Sequence, residues 1–171
     1  MEHFSIKGDD FRYEIEFAND LTEMDVYRLL TILFSSKAIH NANPPIFGLP
    51  MAAWRFERAE IYRIVFNLAI KGRNMLDFSN EDSKKISETP TGQLEQSLIV
   101  NELSFREACN KIIHSEHINF GLVDYEGPDD HKGVTEFIYV YGRKGNNEWK
   151  ATINLIPFSD VMFKILNNYF G

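Results

Sequence analysis

The sequence predicts an α+β fold, mainly α, in which a small helical bundle carries two β-hairpins that can join into one antiparallel sheet. Four stretches place apolar residues at helical spacing, and two regions alternate apolar and polar residues with period two. Strands and helices do not alternate as βαβ units, so a dinucleotide-binding sheet is not expected, and no Gly-rich phosphate loop is present. The 171 residues suit one domain, read as a hairpin over 1–18, a bundle over 20–118 with a flexible loop at 77–93, a hairpin over 134–156 and a helix over 158–170.

The first hairpin rests on Phe4 and Ile6, the turn residues Gly8-Asp9-Asp10, and the strict alternation of Phe11, Tyr13, Ile15 and Phe17 with Arg12, Glu14 and Glu16. A helix is expected from Asn19-Asp20, where Asp20 and Glu23 stand close to a capping box, to about His40. Asn43-Pro44-Pro45 stops it, and Pro44 to Pro50 is a stiff loop. A second long helix runs from about Met51 to Leu76; Ile61, Ile64, Val65, Leu68 and Ala69 make its middle a buried element. Residues 77–93 are polar, with proline and glycine, and read as a loop. The third helix spans Ser104 to His114, its start marked by Ser104 with Glu107. Val134–Tyr141 and Glu148–Ile156 are strands joined through Gly142 to Asn147, and Phe158 to Phe170 is an amphipathic helix.

Composition limits the classes available. With 25% charged and 13% aromatic residues the chain is not a disordered sequence, and its apolar runs are too short to cross a membrane. One cysteine excludes an internal disulfide and suits a reducing cytosol, and the acidic MEHFSIKGDD start has no signal-peptide character, so a cytoplasmic protein without membrane contact is expected. The net charge of −7 opposes nucleic-acid binding only when taken whole. Residues 1–26 hold eight acids against Lys7 and Arg12, a net −6. The second helix is the most basic long stretch, with Arg55, Arg58, Arg63, Lys71 and Arg73 against Glu57 and Glu60.

Candidate chemistry sits on the third helix. Phe105, Ala108, Cys109, Ile112 and Glu116 form its core face. Beside that face Arg106, Asn110 and His114 fall at i, i+4 and i+8, one above another, and His117 extends the stripe if the helix lasts. A guanidinium, an amide and an imidazole supply a cation for phosphate, a positioner and a proton-transfer group, a set suited to cleaving RNA without metal or other cofactor. The same stripe also fits a helix boundary whose polar groups are merely hydrogen-bonded. Cys109, pointing to the core, is read as a small buried hydrophobe rather than a nucleophile or zinc ligand.

The segment Arg106-Glu107-Ala108-Cys109-Asn110-Lys111-Ile112-Ile113-His114, on a helix after two long helices, resembles the HEPN (higher eukaryotes and prokaryotes nucleotide-binding) superfamily. Its hallmark is an arginine, a polar residue directly after it, and a histidine, written R-x4–6-H. Asn110 and His114 take the places of the polar residue and the histidine. Cys109 stands where arginine is expected, and seven residues separate Arg106 from the histidine, one more than the motif's usual limit. The resemblance implies a metal-independent endoribonuclease of a toxin–antitoxin or anti-phage defence system, acting as a homodimer. His114 would then transfer protons, Arg106 clamp phosphate and Asn110 position it, with Lys111, Arg58 and Arg63 assisting at the substrate. It equally implies a non-catalytic module that binds a protein partner, such as an antitoxin or effector. A third reading, from the −6 segment, is an acidic phage-type inhibitor that mimics nucleic-acid charge.

Overall fold

The computed structural model describes residues 8–41, 48–124 and 132–170. Its elements in chain order are α1 (Gly8–His40), α2 (Leu49–Phe78), α3 (Glu81–Ser87), β1 (Pro90–Gln96), β2 (Ile99–Ser104), α4 (Phe105–Ile113), β3 (His117–Asp124), β4 (Lys132–Lys144), β5 (Asn147–Asn154) and α5 (Leu155–Phe170). The strands form one five-stranded antiparallel sheet in the order β2-β1-β5-β4-β3. The architecture is therefore α+β, built on a continuous sheet, and the expectation of a helical bundle with two hairpins is corrected.

Each departure has a local cause. The alternating Phe11–Phe17 segment lies inside α1, so no strand forms there; the Phe4–Ile6 partner falls outside the described residues. A chain free of glycine and proline between Asp9 and His40 lets the helix propagate backward. Residues 42–47 of the expected stiff loop also lie outside the described residues. The expected loop at 77–93 contains α3 and the start of β1. Asn80 caps α3 by accepting a 2.9 Å hydrogen bond from the Ser83 amide; Glu81 and Asp82 occupy the first turn, Lys84 and Lys85 the last. The bundle expected over 20–118 thus encloses the β1–β2 hairpin. Its turn, Ser97-Leu98, has positive φ at both residues (51° and 66°), a conformation usually given to Asn or Gly. His117 begins β3 rather than extending α4, and Glu116 is exposed, paired with Arg143 at 3.2 Å, so neither continues the helix faces expected of them.

Register defines two unlike sheet faces. Leu103, Leu94, Ala151, Trp149, Ile153, Val140 and Ile138 point to one face and are buried beneath the helices. On the other, Gln93, Glu95, Glu102, Lys150, Thr152, Tyr139 and Tyr141 are half-buried or exposed. Within the core, Phe105 opens α4 and stacks obliquely on Phe158 of α5, centroids 4.8 Å apart, with Gly72 of α2 beneath it. A Cβ on Gly72 would lie 3.0 Å from the Phe105 ring, so the close approach of α2 and α4 uses the missing side chain. The same device recurs where Trp149 lies on Gly142: a Cβ there would meet the indole at 2.3 Å.

Two long helices, α1 and α2, pack as a pair around Val26, Leu29, Ile61, Ile64 and Leu68. Arg63 of α2 binds Glu60 through two hydrogen bonds of 2.7 and 2.9 Å and reaches Asp25 of α1 at 3.3 Å. Glu57 is buried between the same helices. Ser36 donates a 2.9 Å hydrogen bond to its Oε2, while Oε1 has no hydrogen-bond partner among the described residues. Burial raises the Glu57 pKa, and the Ser36 hydrogen bond only partly offsets that.

Two stability predictions follow from this packing. Gly142→Ala forces the Trp149 indole off its seat and is expected to cost about 1–3 kcal/mol in urea denaturation. For Glu57, the folded chain holds its proton to higher pH than the unfolded chain, whose carboxyl titrates near 4.5. Its contribution to stability is complete below that pH and is lost as pH rises through the folded pKa. Glu57→Gln is therefore expected to raise the melting temperature at pH 8, by about 2–4 °C if the gain is about 1 kcal/mol. The difference from the unsubstituted protein should narrow at pH 4.

Candidate phosphate-binding cleft

Helix α4 begins where Ser104 accepts the Glu107 amide at 3.4 Å and ends at His114, whose backbone N–H closes on the Asn110 carbonyl at 3.1 Å. Phe105, Ala108, Cys109 and Ile112 point into the core. The next positions around the helix, Glu107, Asn110, Lys111 and His114, therefore face outward over the β4–β5 hairpin. There they line a cleft of about 590 Å³ together with Ser115, Arg143, Lys144 and Trp149.

The hairpin is set by its turn: Gly145 takes a positive φ of 63°, and Arg143 pairs with Glu148 and Lys144 with Asn147 across the strands. Side-chain alternation puts Lys144 on the helix side, with Trp149, and Arg143 at the rim, where its Nε donates to Glu116 Oε2 at 3.2 Å. The floor is the Trp149 ring, with Lys111 Nζ 4.4 Å from its centroid. Burial lowers the Lys111 pKa; Lys144 adds to this and Glu107 opposes it. His114 is exposed, and among the described residues its ring has no hydrogen-bond partner. The cleft thus gathers three cations, an imidazole and an amide around an aromatic floor, with Glu107 as its acid.

Of the residues singled out from sequence, Asn110, Lys111 and His114 share this cleft. Arg106 does not line it: its Nη2 lies 3.6 Å from Asp77 Oδ1 at the end of α2, where Arg73 also binds. Arg63 lines a different cleft, between α1 and α2, with Asp25 and Arg28, and its guanidinium holds Glu60 below the ordinary carboxylate range. Arg58 is half-buried on α2 and is not among the cleft residues. Sequence reasoning does not join Arg143, Lys144 or Trp149 to the α4 stripe. The signal for Lys144 was the Arg143-Lys144 pair in a hairpin loop; nothing in the local sequence announces that Trp149 would underlie a lysine from another element.

Among the described residues no group of three His, Cys, Asp or Glu side chains could hold a metal ion, and no helix is long and apolar enough to cross a membrane. Cys109 is fully buried, and burial pushes its thiol pKa up, so the thiolate is scarce at neutral pH. Iodoacetamide at pH 8 is expected to leave Cys109 unmodified in the folded protein and to alkylate it in 6 M guanidinium, as mass spectrometry would read; rapid native labelling would contradict the packing. No protein-family model, curated protein or solved structure matches this chain.

Proposed function

We propose that the α4/β4–β5 cleft binds the phosphodiester backbone of single-stranded RNA and cleaves it by metal-independent transphosphorylation. The observation that carries this reading is the convergence of Lys111, Arg143 and Lys144 with His114 in one cleft. Cations from two separate elements meet there despite the net charge of −7, outnumbering the carboxylates of Glu107 and Glu116 that partly balance them, and a phosphate can take up the excess. Asn110 and His114 also stand where the HEPN resemblance puts its polar residue and histidine.

The chemistry assigns each side chain a task. His114 accepts the proton of a ribose 2′-hydroxyl, and the freed oxygen attacks the adjacent phosphorus. Arg143 and Lys144 neutralise the charge that grows on the non-bridging oxygens. Lys111, three residues before His114 and so beside it on the helix, protonates the departing 5′-oxygen as the P–O bond breaks. Its lowered pKa makes it a better proton donor than an ordinary lysine. The products are a 2′,3′-cyclic phosphate and a 5′-hydroxyl. Asn110 orients the phosphate. Such an activity belongs in the cytoplasm, where RNA is the accessible polyanion.

A second reading, RNA or phosphate binding without cleavage, is favoured by Arg106. The arginine that the HEPN motif would use as a clamp is engaged with Asp77 instead.

Incubation of labelled single-stranded RNA with the protein in EDTA separates the two. Cleavage to cyclic-phosphate ends is expected, reduced about 100-fold or more by His114→Ala. The rate should fall on the alkaline side below the ordinary lysine range, because Lys111 must carry its proton. Lys144→Ala should weaken binding and lower the salt slope by about one. Binding without cleavage selects the second reading. Cleavage indifferent to His114 overturns the first, and no RNA binding overturns both.

A further inference from the structure

The cleft opens at its rim, at Arg143, onto the face of the sheet that no described helix covers. Arg143, which lines the cleft, alternates along β4 with Tyr141, Tyr139 and Phe137, all on that face. Tyr141 pairs across to Lys150 of β5 and His117 of β3; Tyr139 pairs with Thr152 and Asn119. The His117 and Tyr141 rings lie 6.1 Å apart at 40°, and Lys150 Nζ sits 5.5 Å from the Tyr139 centroid. Both tyrosines are half-buried in the sheet surface, so their rings are held in place.

We infer that this face is the base-binding platform of the cleft, with Tyr141 and Tyr139 stacking two successive unpaired bases of a single-stranded RNA whose phosphates follow Arg143 and Lys150. The inference rests on the reading of the cleft as an RNA site and names the part of that RNA which the cleft does not hold. Residues two apart on a strand are about 7 Å apart, so the two rings take bases that are splayed from each other. Rings fixed on a sheet beside cations suit single strands, because every base offers a π-face to stack.

Charge also sets the path. The β1–β2 side of the face carries Glu95 and Glu102, both exposed, and no cation among the described residues, whereas the β3–β4–β5 side carries Lys150 and Arg143, with Glu148 across from Arg143 and Glu116 ion-paired to it. Among the described residues only the second side offers cations to phosphates, whereas the first repels them. The strand therefore leaves the cleft at Arg143 and runs along β4 instead of crossing the sheet.

Fluorescence anisotropy with two labelled probes tests the platform. One is a 2′-O-methyl oligouridylate, which cannot undergo transphosphorylation; the other is a 2′-O-methyl abasic ribose-phosphate oligomer of equal length. Tyr139→Ala and Tyr141→Ala are each expected to weaken the base-bearing probe about fivefold or more and to leave the abasic probe unchanged. Tyr141→Phe, which keeps the ring, should bind like the unsubstituted protein, which excludes simple misfolding as the cause. Lys144→Ala should weaken both probes. If the alanine variants bind both probes normally while Lys144→Ala weakens both, the platform is overturned and the cleft stands. If they weaken both probes alike, the platform is overturned, since the rings then matter to the fold and not to bases. If the unsubstituted protein binds neither probe, the cleft reading fails and the platform with it.

Discussion

The seating of Phe105 governs much of the molecule. This ring, the first residue of α4, is held between Gly72 of α2 and Phe158 of α5 and is fully buried. A short helix has little stability of its own, so packing must hold α4 in place. Once its first residue is fixed, the 3.6-residue period decides the rest: Cys109 and Ile112 go inward, while Asn110, Lys111 and His114 face outward. Replacing either Gly72 or the ring would shift the helix by roughly the width of a side chain and misplace the whole outward stripe. The cleft is thus a consequence of a hydrophobic contact on the opposite side of the helix.

The sheet imposes the complementary constraint. The described helices pack on one face of the five strands and leave the other face uncovered among the described residues, and the sequence follows that division closely on the central strands. Trp149, Ala151 and Ile153 alternate with Lys150, Thr152 and Asn154 on β5, and Val140 and Ile138 with Tyr141 and Tyr139 on β4. Trp149 belongs to both stories. It is core at its edge against Gly142 and cleft floor beneath Lys111. The indole links the interior to the surface where α4 meets the hairpin.

What could be read in advance followed signal strength. The long helix at Leu49–Phe78 and the β4–β5 hairpin carry periodic patterns over many residues, and the Ser104 cap marks α4 directly. The β1–β2 hairpin carries almost none, since only Thr91, Leu94 and Leu103 turn inward and the Ser97-Leu98 turn lacks the residues that usually adopt positive φ. Alternation over Phe11–Phe17 was a true pattern with the wrong consequence, because a neighbouring helix of strong propensity absorbed it. In the site, Asn110, Lys111 and His114 were legible because they share one helix. Lys144 and Trp149 were not, because their membership depends on strand register, which the sequence does not state outright.

Electrostatics resolve the apparent conflict between an acidic chain and a phosphate site. The most basic stretch, on α2, is not the cationic surface: Arg63 is occupied by Glu60 and Asp25, and Arg73 by Asp77. Acids of α1 and α2 answer those arginines in place. In the cleft, Arg143 has Glu116 and Lys111 has Glu107 as an i, i+4 neighbour, yet Lys111, Lys144 and Arg143 still outnumber these acids. Surface pairs of this kind contribute little to stability, so they leave the cations available to exchange a carboxylate for a phosphate at small cost. A locally positive cleft on a negative protein also disfavours binding along its length to duplex nucleic acid, which would bring phosphates against the acidic surface. The charge distribution therefore selects for a strand thin enough to enter one cleft, and the same feature that argued against nucleic acid in the total becomes a source of selectivity in the parts.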